Sequence, residues 1–365
     1  MVQRRISNLI SKALAGFALA GLASACGERK SPPDACEPNT GSEARNASLE
    51  AAAVCRGRLI GAALSTAHLA DDAYANAARD FDYVTPESEM KWEYTEPTRD
   101  QFSFELGDRI VSFAEENGMK VKGHTLVWHN QLPAWVSTLT DPDDLRAALL
   151  NHITKEVEHY KGKVLAWDVV NEAWDPGDPT VLRDTIFSQL LGPSFIDDAF
   201  TAARAADPDA KLYYNDYGAD GGGAKADSIY AMVADMQARG IPIDGVGLQM
   251  HDAVASSLTG DDVAANIQRF AALGVDVVIS EMDLNLCYGG TLDDQAAMFH
   301  DVVAACLGQP NCPAVTFWGV TDKYSWLNYL DEGCADGDTP RPLLWDDGYQ
   351  KKPGYTGVLN ALNGL

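Results

Sequence analysis

From residue 47 onward the apolar positions follow two alternating rhythms. Short runs rich in Val, Ile, Leu and aromatic residues predict strands at 59–62, 81–85, 121–126, 164–170, 211–215, 245–250, 275–280 and 314–319. Between them, apolar residues recur every three or four positions. That spacing predicts helices with one buried face at 106–116, 143–160, 195–206, 224–239, 261–273 and 292–307, with 355–362 closing the chain. Eight strands separated by crossovers predict a parallel sheet, and the count of eight predicts an α/β fold closed as a (β/α)8 TIM barrel. An open doubly wound sheet would need a phosphate-binding glycine loop after its first strand, and Gly61, Ala62, Ala63 and Leu64 do not make one. No internal repeat or second linker interrupts residues 47–365, which are expected to form one catalytic domain.

The N-terminal segment follows neither rhythm. Arg4, Arg5 and Lys12 precede an apolar run at 13–23 that ends in Ala23, Ser24, Ala25, Cys26 and Gly27. At 1.5 Å per residue the run covers roughly 16 Å of a roughly 30 Å hydrocarbon core, too little for a membrane span. A basic start, a short apolar middle and small residues before a cut predict a signal peptide over residues 1–25. Two processing routes fit. Ala23 and Ala25 make an A-x-A site for simple secretion. Small residues before Cys26 also resemble a bacterial lipoprotein box that would lipidate Cys26, with its usual Leu one residue early at Leu22. The protein is therefore expected to be exported, either secreted or held to the cell envelope, and to meet a membrane only through that N-terminal lipid. Residues 26–46, polar and Pro-bearing, read as a tether.

Charge narrows the partners. The formal charge is −25, and residues 1–25 carry three basic and no acidic side chains, so their removal deepens it to −28. Such a protein is repelled by phosphate polyanions, so no nucleic-acid partner is expected. A neutral ligand remains compatible, and 8 Trp, 13 Tyr and 11 Phe supply stacking faces. The seven cysteines are Cys26, Cys36, Cys55, Cys287, Cys306, Cys312 and Cys334. With Cys26 lipidated, six remain, an even number suited to three disulfides in an oxidising compartment. None of their spacings suits zinc.

The chemistry gathers where strands end, the face on which barrels carry their active sites. Glu87, Lys91 and Trp92 follow the second predicted strand, and His124, Trp128 and Gln131 end the third. Asn171 and Glu172 follow the fourth, Asn215, Asp216 and Tyr217 the fifth, and Gln249 and His251 the sixth. Glu281 and Asp283 end the seventh, and Trp318 the eighth. Two carboxylates stand out, Glu172 and Glu281, because strands four and seven lie on opposite sides of an eight-strand ring. Glycosidic-bond cleavage needs such a pair, one as acid and one as nucleophile or base. His124, His129 and His251 suggest a metal set, but Lys91 nearby opposes a cation, and neither metal nor cofactor is expected. Trp167 and Phe317 sit in apolar runs and read as core. His68, His152, His159 and His300 fall on or near helices and read as structural or solvated.

Residues 84–92 (VTPESEMKW) with Glu96 and Pro97, 123–129 (GHTLVWH), 167–173 (WDVVNEA), 247–251 (GLQMH), 279–284 (ISEMDL), and 318–322 (WGVTD) with Ser325 and Trp326 resemble the family 10 glycoside hydrolases in order and spacing. The resemblance covers roughly residues 50–363 and implies a (β/α)8 barrel, no cofactor and, for most members, endo-1,4-β-xylanase activity with retention of configuration. By the same resemblance Glu172 is the acid/base and Glu281 the nucleophile, oriented by His251, which Asp283 holds in turn. Asn171 would bind the sugar 2-hydroxyl. Lys91, His124 and Gln249 would hold hydroxyls on the glycone side, with Gln131 also lining the cleft and Glu87 one sugar further out. Trp128, Trp318 and Trp326 would wall that side, and Tyr217 would stack under the first aglycone sugar. The implied ligands are xylan and xylo-oligosaccharides, bound by what is expected to be a monomer. The runner-up readings are a retaining hydrolase of another β-glycan or aryl glycoside, and a surface glycan-binding lipoprotein without turnover. Barrel order suggests three disulfides. Cys306 and Cys312 flank the last helix-to-strand turn, a pairing common in the family. Cys287 and Cys334 lie on neighbouring loops, and Cys36–Cys55 would pin the tether.

Two positions depart from the family pattern: Ser88 and Gly218 stand where Asn is usual. The shorter Ser88 side chain should lose or lengthen one sugar contact. Restoring one hydrogen bond, worth about 0.5–1.5 kcal/mol, should raise kcat/KM of Ser88→Asn on xylo-oligosaccharides about two- to tenfold. Unchanged steady-state kinetics would remove that role from Ser88.

Overall fold

The computed structural model describes residues 47–330, 334 and 339–365. The segments expected to be a signal peptide and a tether, with Cys26 and Cys36, lie outside the described residues. Among the described residues nine strands run β1 (Leu59–Leu64), β2 (Tyr83–Pro86), β3 (Lys120–Val127), β4 (Val164–Asn171), β5 (Lys211–Asp216), β6 (Gly245–Leu248), β7 (His251–Ala253), β8 (Asp276–Asn285) and β9 (Ala314–Phe317). The order β6-β5-β4-β3-β2-β1-β9-β8 closes on itself through β6–β8, and neighbouring strands pair in parallel. This is an eight-stranded (β/α)8 barrel.

The ninth strand, β7, is a correction to the sequence pattern. The run 245–250 reads as one strand, yet it stops at Leu248. Met250 takes a left-handed φ of 61°, which costs a non-glycine residue energy, and its N–H is held by Asp220 Oδ1 at 3.0 Å. The chain turns there, and His251 starts a short strand paired with the end of β8, His251 opposite Asp283.

The helices form for local reasons. Pro142–His159 starts with Pro at its first turn and Asp141 accepting from two backbone N–H groups. Gly260–Ala271 and Leu292–Leu307 each open with a Thr/Asp capping box, Thr259 with Asp262 and Thr291 with Asp294. Glu105–Glu116 buries Gly107, Ile110, Val111 and Ala114, a three-and-four repeat that faces the strands. The helices Leu49–Arg56, Asp72–Ala78, Trp92–Thr95 and Ile186–Leu191 escape the periodicity argument because they are too short to repeat a face. The main core joins the helical faces to one face of the strands, while a smaller cluster joins Tyr83, Ala166, Tyr213, Val278 and Ala314, one residue from each of five strands. Trp167 and Phe317 are fully buried in the main core. Cys287 is bonded to Cys334 and Cys306 to Cys312. Cys55 is also disulfide-bonded, and Cys36, its expected partner, lies outside the described residues. No described helix is long and apolar enough to cross a membrane.

β3 and β4 meet with Gly123 opposite Trp167, and a Cβ on Gly123 would lie 2.2 Å from the indole. Only glycine admits that ring. Gly123→Ala should therefore cost about 1–3 kcal/mol through overpacking. A fall in the denaturant midpoint with unchanged slope is the expected result; an unchanged midpoint would contradict the close approach.

Candidate active site

The strand ends bring the predicted residues together. Asn171 is the last residue of β4 and pairs in register with Asn215 of β5. Glu172 follows in a left-handed conformation, φ 56°, and its N–H donates to the Asn215 carbonyl at 2.8 Å. Three neutral donors hold its carboxylate. Trp128 Nε1 reaches Oε2 at 2.9 Å, while Asn171 Nδ2 and Gln249 Nε2 reach Oε1 at 3.2 and 3.1 Å.

Glu281 lies on β8 and is held differently. Asn215 Nδ2 donates to its Oε1 at 2.5 Å and to Asn171 Oδ1 at 2.8 Å, so one amide links the two carboxylate neighbourhoods. Ser280 Oγ donates to Asn215 Oδ1 at 2.6 Å and fixes which end of that amide points at Glu281. His251 Nε2 lies 3.1 Å from Glu281 Oε2, and its Nδ1 lies 2.9 Å from Asp283 Oδ2, which also accepts from Trp326 Nε1 at 2.8 Å. Glu281 and Asp283 are two residues apart on one strand and so share a face.

Electrostatics separate the groups. Burial by itself would raise the Glu281 carboxyl, but the hydrogen bond from His251 and the charges of His124, His251 and Lys122 outweigh it and hold it at about 2. Burial would lower His251, yet the charge and hydrogen bond of Asp283, with those of Glu281, raise it well above the usual imidazole range. The signs follow by linkage. Glu281's contribution to stability is present above the ordinary carboxylate range and is lost as pH falls toward 2. That of His251 is present below the ordinary imidazole range and is lost as pH rises through its raised value.

Around this pair, Lys91 Nζ donates to Gln131 Oε1 at 2.7 Å and stands 4.6 Å from the centre of a Trp128 ring. Burial pulls Lys91 below the usual lysine range, against the opposing charges of Glu281, Glu87 and Glu172. Burial pushes Glu87 up to about 7, Lys91 counteracting and Glu89 adding. Trp318 meets the rings of His124 and His251 edge-on, and Trp326 meets His251 likewise. The hydroxyl of Tyr217, after β5, accepts from Arg183 at 2.8 Å.

Four participants were not singled out from sequence. Lys122 and Asp168, both fully buried, pair at 2.8 Å, and Asp168 Oδ2 also lies 2.9 Å from His124 Nδ1. Lys122 is two residues from His124 on β3, so its alternation with a predicted site residue was the available signal. Asn215 was noted only as a polar strand end. Arg183, in a loop, gave no periodic signal. His124, Asp168 and Glu281 bring ligand atoms within 4.8 Å of one another, but the Lys122 ammonium already occupies Asp168, and a cation there would face that charge. His129, entertained with His124 and His251 as a metal ligand, has no place in that cluster.

A (β/α)8 barrel with one ionised carboxylate and one amide-held carboxylate at its mouth defines a catalyst for glycosidic-bond hydrolysis. The profile of Glycosyl hydrolase family 10 matches residues 48–361. The chain is 39% identical over 328 residues to Endo-1,4-beta-xylanase A of Phanerodontia chrysosporium, covering 87% of this chain and 78% of that one. It superposes on native xylanase 10B from Thermotoga maritima with a TM-score of 0.82 at 38% identity, covering 87% of this chain and 98% of the other. Xylanase 10B from Thermotoga petrophila in complex with xylobiose matches with the same TM-score, identity and coverage. The chain belongs to glycosyl hydrolase family 10.

Replacing His251 with Asn removes a positive charge from Glu281 and leaves it buried. The Glu281 carboxyl should rise, moving the acid limb of the kcat/KM profile upward by at least about one pH unit. An unmoved acid limb would separate His251 from the ionisation of Glu281.

Proposed function

We propose that this protein is an endo-1,4-β-xylanase that hydrolyses internal β-1,4-xylosidic bonds of xylan with retention of configuration. The observation that carries the reading is the division between the two carboxylates, with Glu281 kept ionised by buried cationic partners and Glu172 held by neutral donors. The xylanase names of its relatives and the xylobiose complex of one structural neighbour support the substrate. A glycan-binding protein without turnover would have no use for an intact Glu172, Glu281, His251 and Asp283 set.

In the first step a Glu281 carboxylate oxygen attacks the anomeric carbon. The glycosidic C–O bond breaks, and the leaving oxygen takes its proton from Glu172. Esterification removes the negative charge of Glu281, so Glu172 can then act as base. Glu172 takes a proton from water, the water oxygen attacks the anomeric carbon, and the Glu281 ester bond breaks with its electrons returning to the carboxylate. The second inversion restores the starting configuration. Asn171 offers its amide to the sugar 2-hydroxyl, while Lys91, His124 and Gln249 hold glycone hydroxyls. Gln131 steadies Lys91, and Glu87 lies one sugar further out. Trp128, Trp318 and Trp326 present ring faces to the sugars, and Tyr217 supports the first aglycone sugar. We assign residues 47–365 to the catalytic domain, 1–25 to a signal peptide and 26–46 to a tether, lipidated at Cys26 or secreted free. The disulfides suit that export.

Glu281→Gln keeps the shape and removes the nucleophile, so sugar release from xylan should fall by at least about a thousandfold. The first product of the unaltered enzyme should be the β-anomer by NMR. Comparable release from both proteins would refute the nucleophile assignment, and an α-anomer would exclude retention. Rates on carboxymethylcellulose matching those on xylan would replace xylan with a broader β-glycan substrate.

A further inference from the structure

The loop that leaves Glu172 comes back to it. Residues 173–182 make a narrow excursion closed at its base: Trp174 bridges Leu182, Asp175 N–H donates to the Val181 carbonyl at 3.0 Å, and Arg183 N–H donates to the Ala173 carbonyl at 2.8 Å. Arg183 therefore stands beside the residue the chain has just left. Its Nε donates to the backbone carbonyl of Glu172 at 3.1 Å and its Nη2 to the Tyr217 hydroxyl at 2.8 Å. Tyr217 is gripped from its face as well. Lys225 Nζ lies 3.8 Å from the ring centre and is itself bound to Asp216 Oδ1 at 2.6 Å. The guanidinium also acts on His129, which burial first and then Arg183 bring down to about 4.

A guanidinium is planar, and its donors keep fixed relative directions. Here one donor fixes the peptide of a left-handed Glu172, and another fixes the ring assigned to the leaving-group sugar. We propose that Arg183 is a positioning residue that couples the first aglycone subsite to the acid/base: a sugar seated on Tyr217 bears on the same rigid group that sets the backbone of Glu172. Proton delivery to the leaving oxygen is then best aligned when the aglycone subsite is filled. This rests on the reading of Glu172 as acid/base.

The test compares kcat/KM on xylohexaose, whose leaving group must be protonated, with kcat/KM on a dinitrophenyl β-xylobioside, whose leaving group need not be. General acid catalysis is worth about 10²–10⁴-fold, so partial misalignment in Arg183→Met should lower the xylohexaose-to-aryl ratio at least about tenfold. Arg183→Lys keeps the charge but not the fork, and its ratio should lie between those of Met and the unaltered enzyme. The effects of Arg183→Met and Tyr217→Phe on the ratio should be less than additive, because both break one link. A merely structural role would lower both substrates together and leave the ratio alone. A wild-type ratio in either Arg183 variant overturns the inference, and if Arg183→Met does not fold, Arg183→Lys decides it. Glu172→Ala separates the two levels. An unchanged ratio there refutes the acid/base assignment itself, whereas a lowered ratio there with a wild-type ratio in the Arg183 variants refutes only the coupling.

Discussion

An ionised carboxylate buried inside a protein is costly unless charge and hydrogen bonds surround it, and the Glu281 side chain sets that requirement here. The answer is a line of acidic and basic side chains that crosses the barrel mouth. It runs from Lys122 to Asp168, to His124, to Glu281, to His251, to Asp283 and ends on the Trp326 indole N–H. Lys122, Asp168, Glu281 and Asp283 are each at most 4% exposed. Removing one member leaves its neighbour unpaired in a low-dielectric interior, so the line stands or falls as a unit. The strand register builds it: His124 lies opposite Asp168 in β3 and β4, and His251 opposite Asp283 in β7 and β8. The break between β6 and β7 belongs to the same requirement. His251 reaches both acids only because the chain turns at Met250, and Asp220 holds that turn through the Met250 N–H.

Glu172 meets the opposite condition. Its three side-chain donors are an indole and two amides, and Lys91, whose charge Glu172 feels, is bonded to Gln131 instead. The Glu172 side chain is held by neutral donors, whereas Glu281 is held by charge. The same residue type thus stands in two different surroundings, which is how paired titratable groups divide acid and base work. Asn215 keeps the two surroundings in step. Its amide touches Asn171 and Glu281 together, and Gly247 leaves room for it: a Cβ there would lie 2.1 Å from Asn215 Oδ1.

Residues whose role depends on their own strand were legible in the sequence. Polar groups at the ends of apolar runs marked the barrel mouth, and Glu172, Glu281, His251 and Asp283 stood there in spacings resembling a known family. What depends on a neighbouring strand was not. Lys122 inside β3 looks like any strand lysine until Asp168 is brought beside it by a pairing 46 residues away in sequence. β7 was hidden because apolar runs do not encode a left-handed φ at Met250. Arg183 comes from a loop rich in Asp, Pro and Gly, where neither a period of two nor one of 3.6 marks which side chain turns inward. Its place is fixed by the closure of residues 173–182, a property of folded backbone.

The acidic composition takes on meaning from these pairings. A chain of formal charge −25 nevertheless buries several lysines at or near its active face. Lys122 is matched to Asp168, Lys225 to Asp216 and Lys352 to Asp322, while Lys91 binds Gln131 beneath the Trp128 ring. Those four cations are already engaged by the protein's own carboxylates and amides. Beside Lys91 stand indole rings, amides and imidazoles. Such a surface gains little from a charged partner and much from a neutral one that offers hydroxyls at its rim and C–H bonds on its faces. The same bookkeeping that keeps Glu281 ionised therefore also selects an uncharged polysaccharide as the molecule that fits above it.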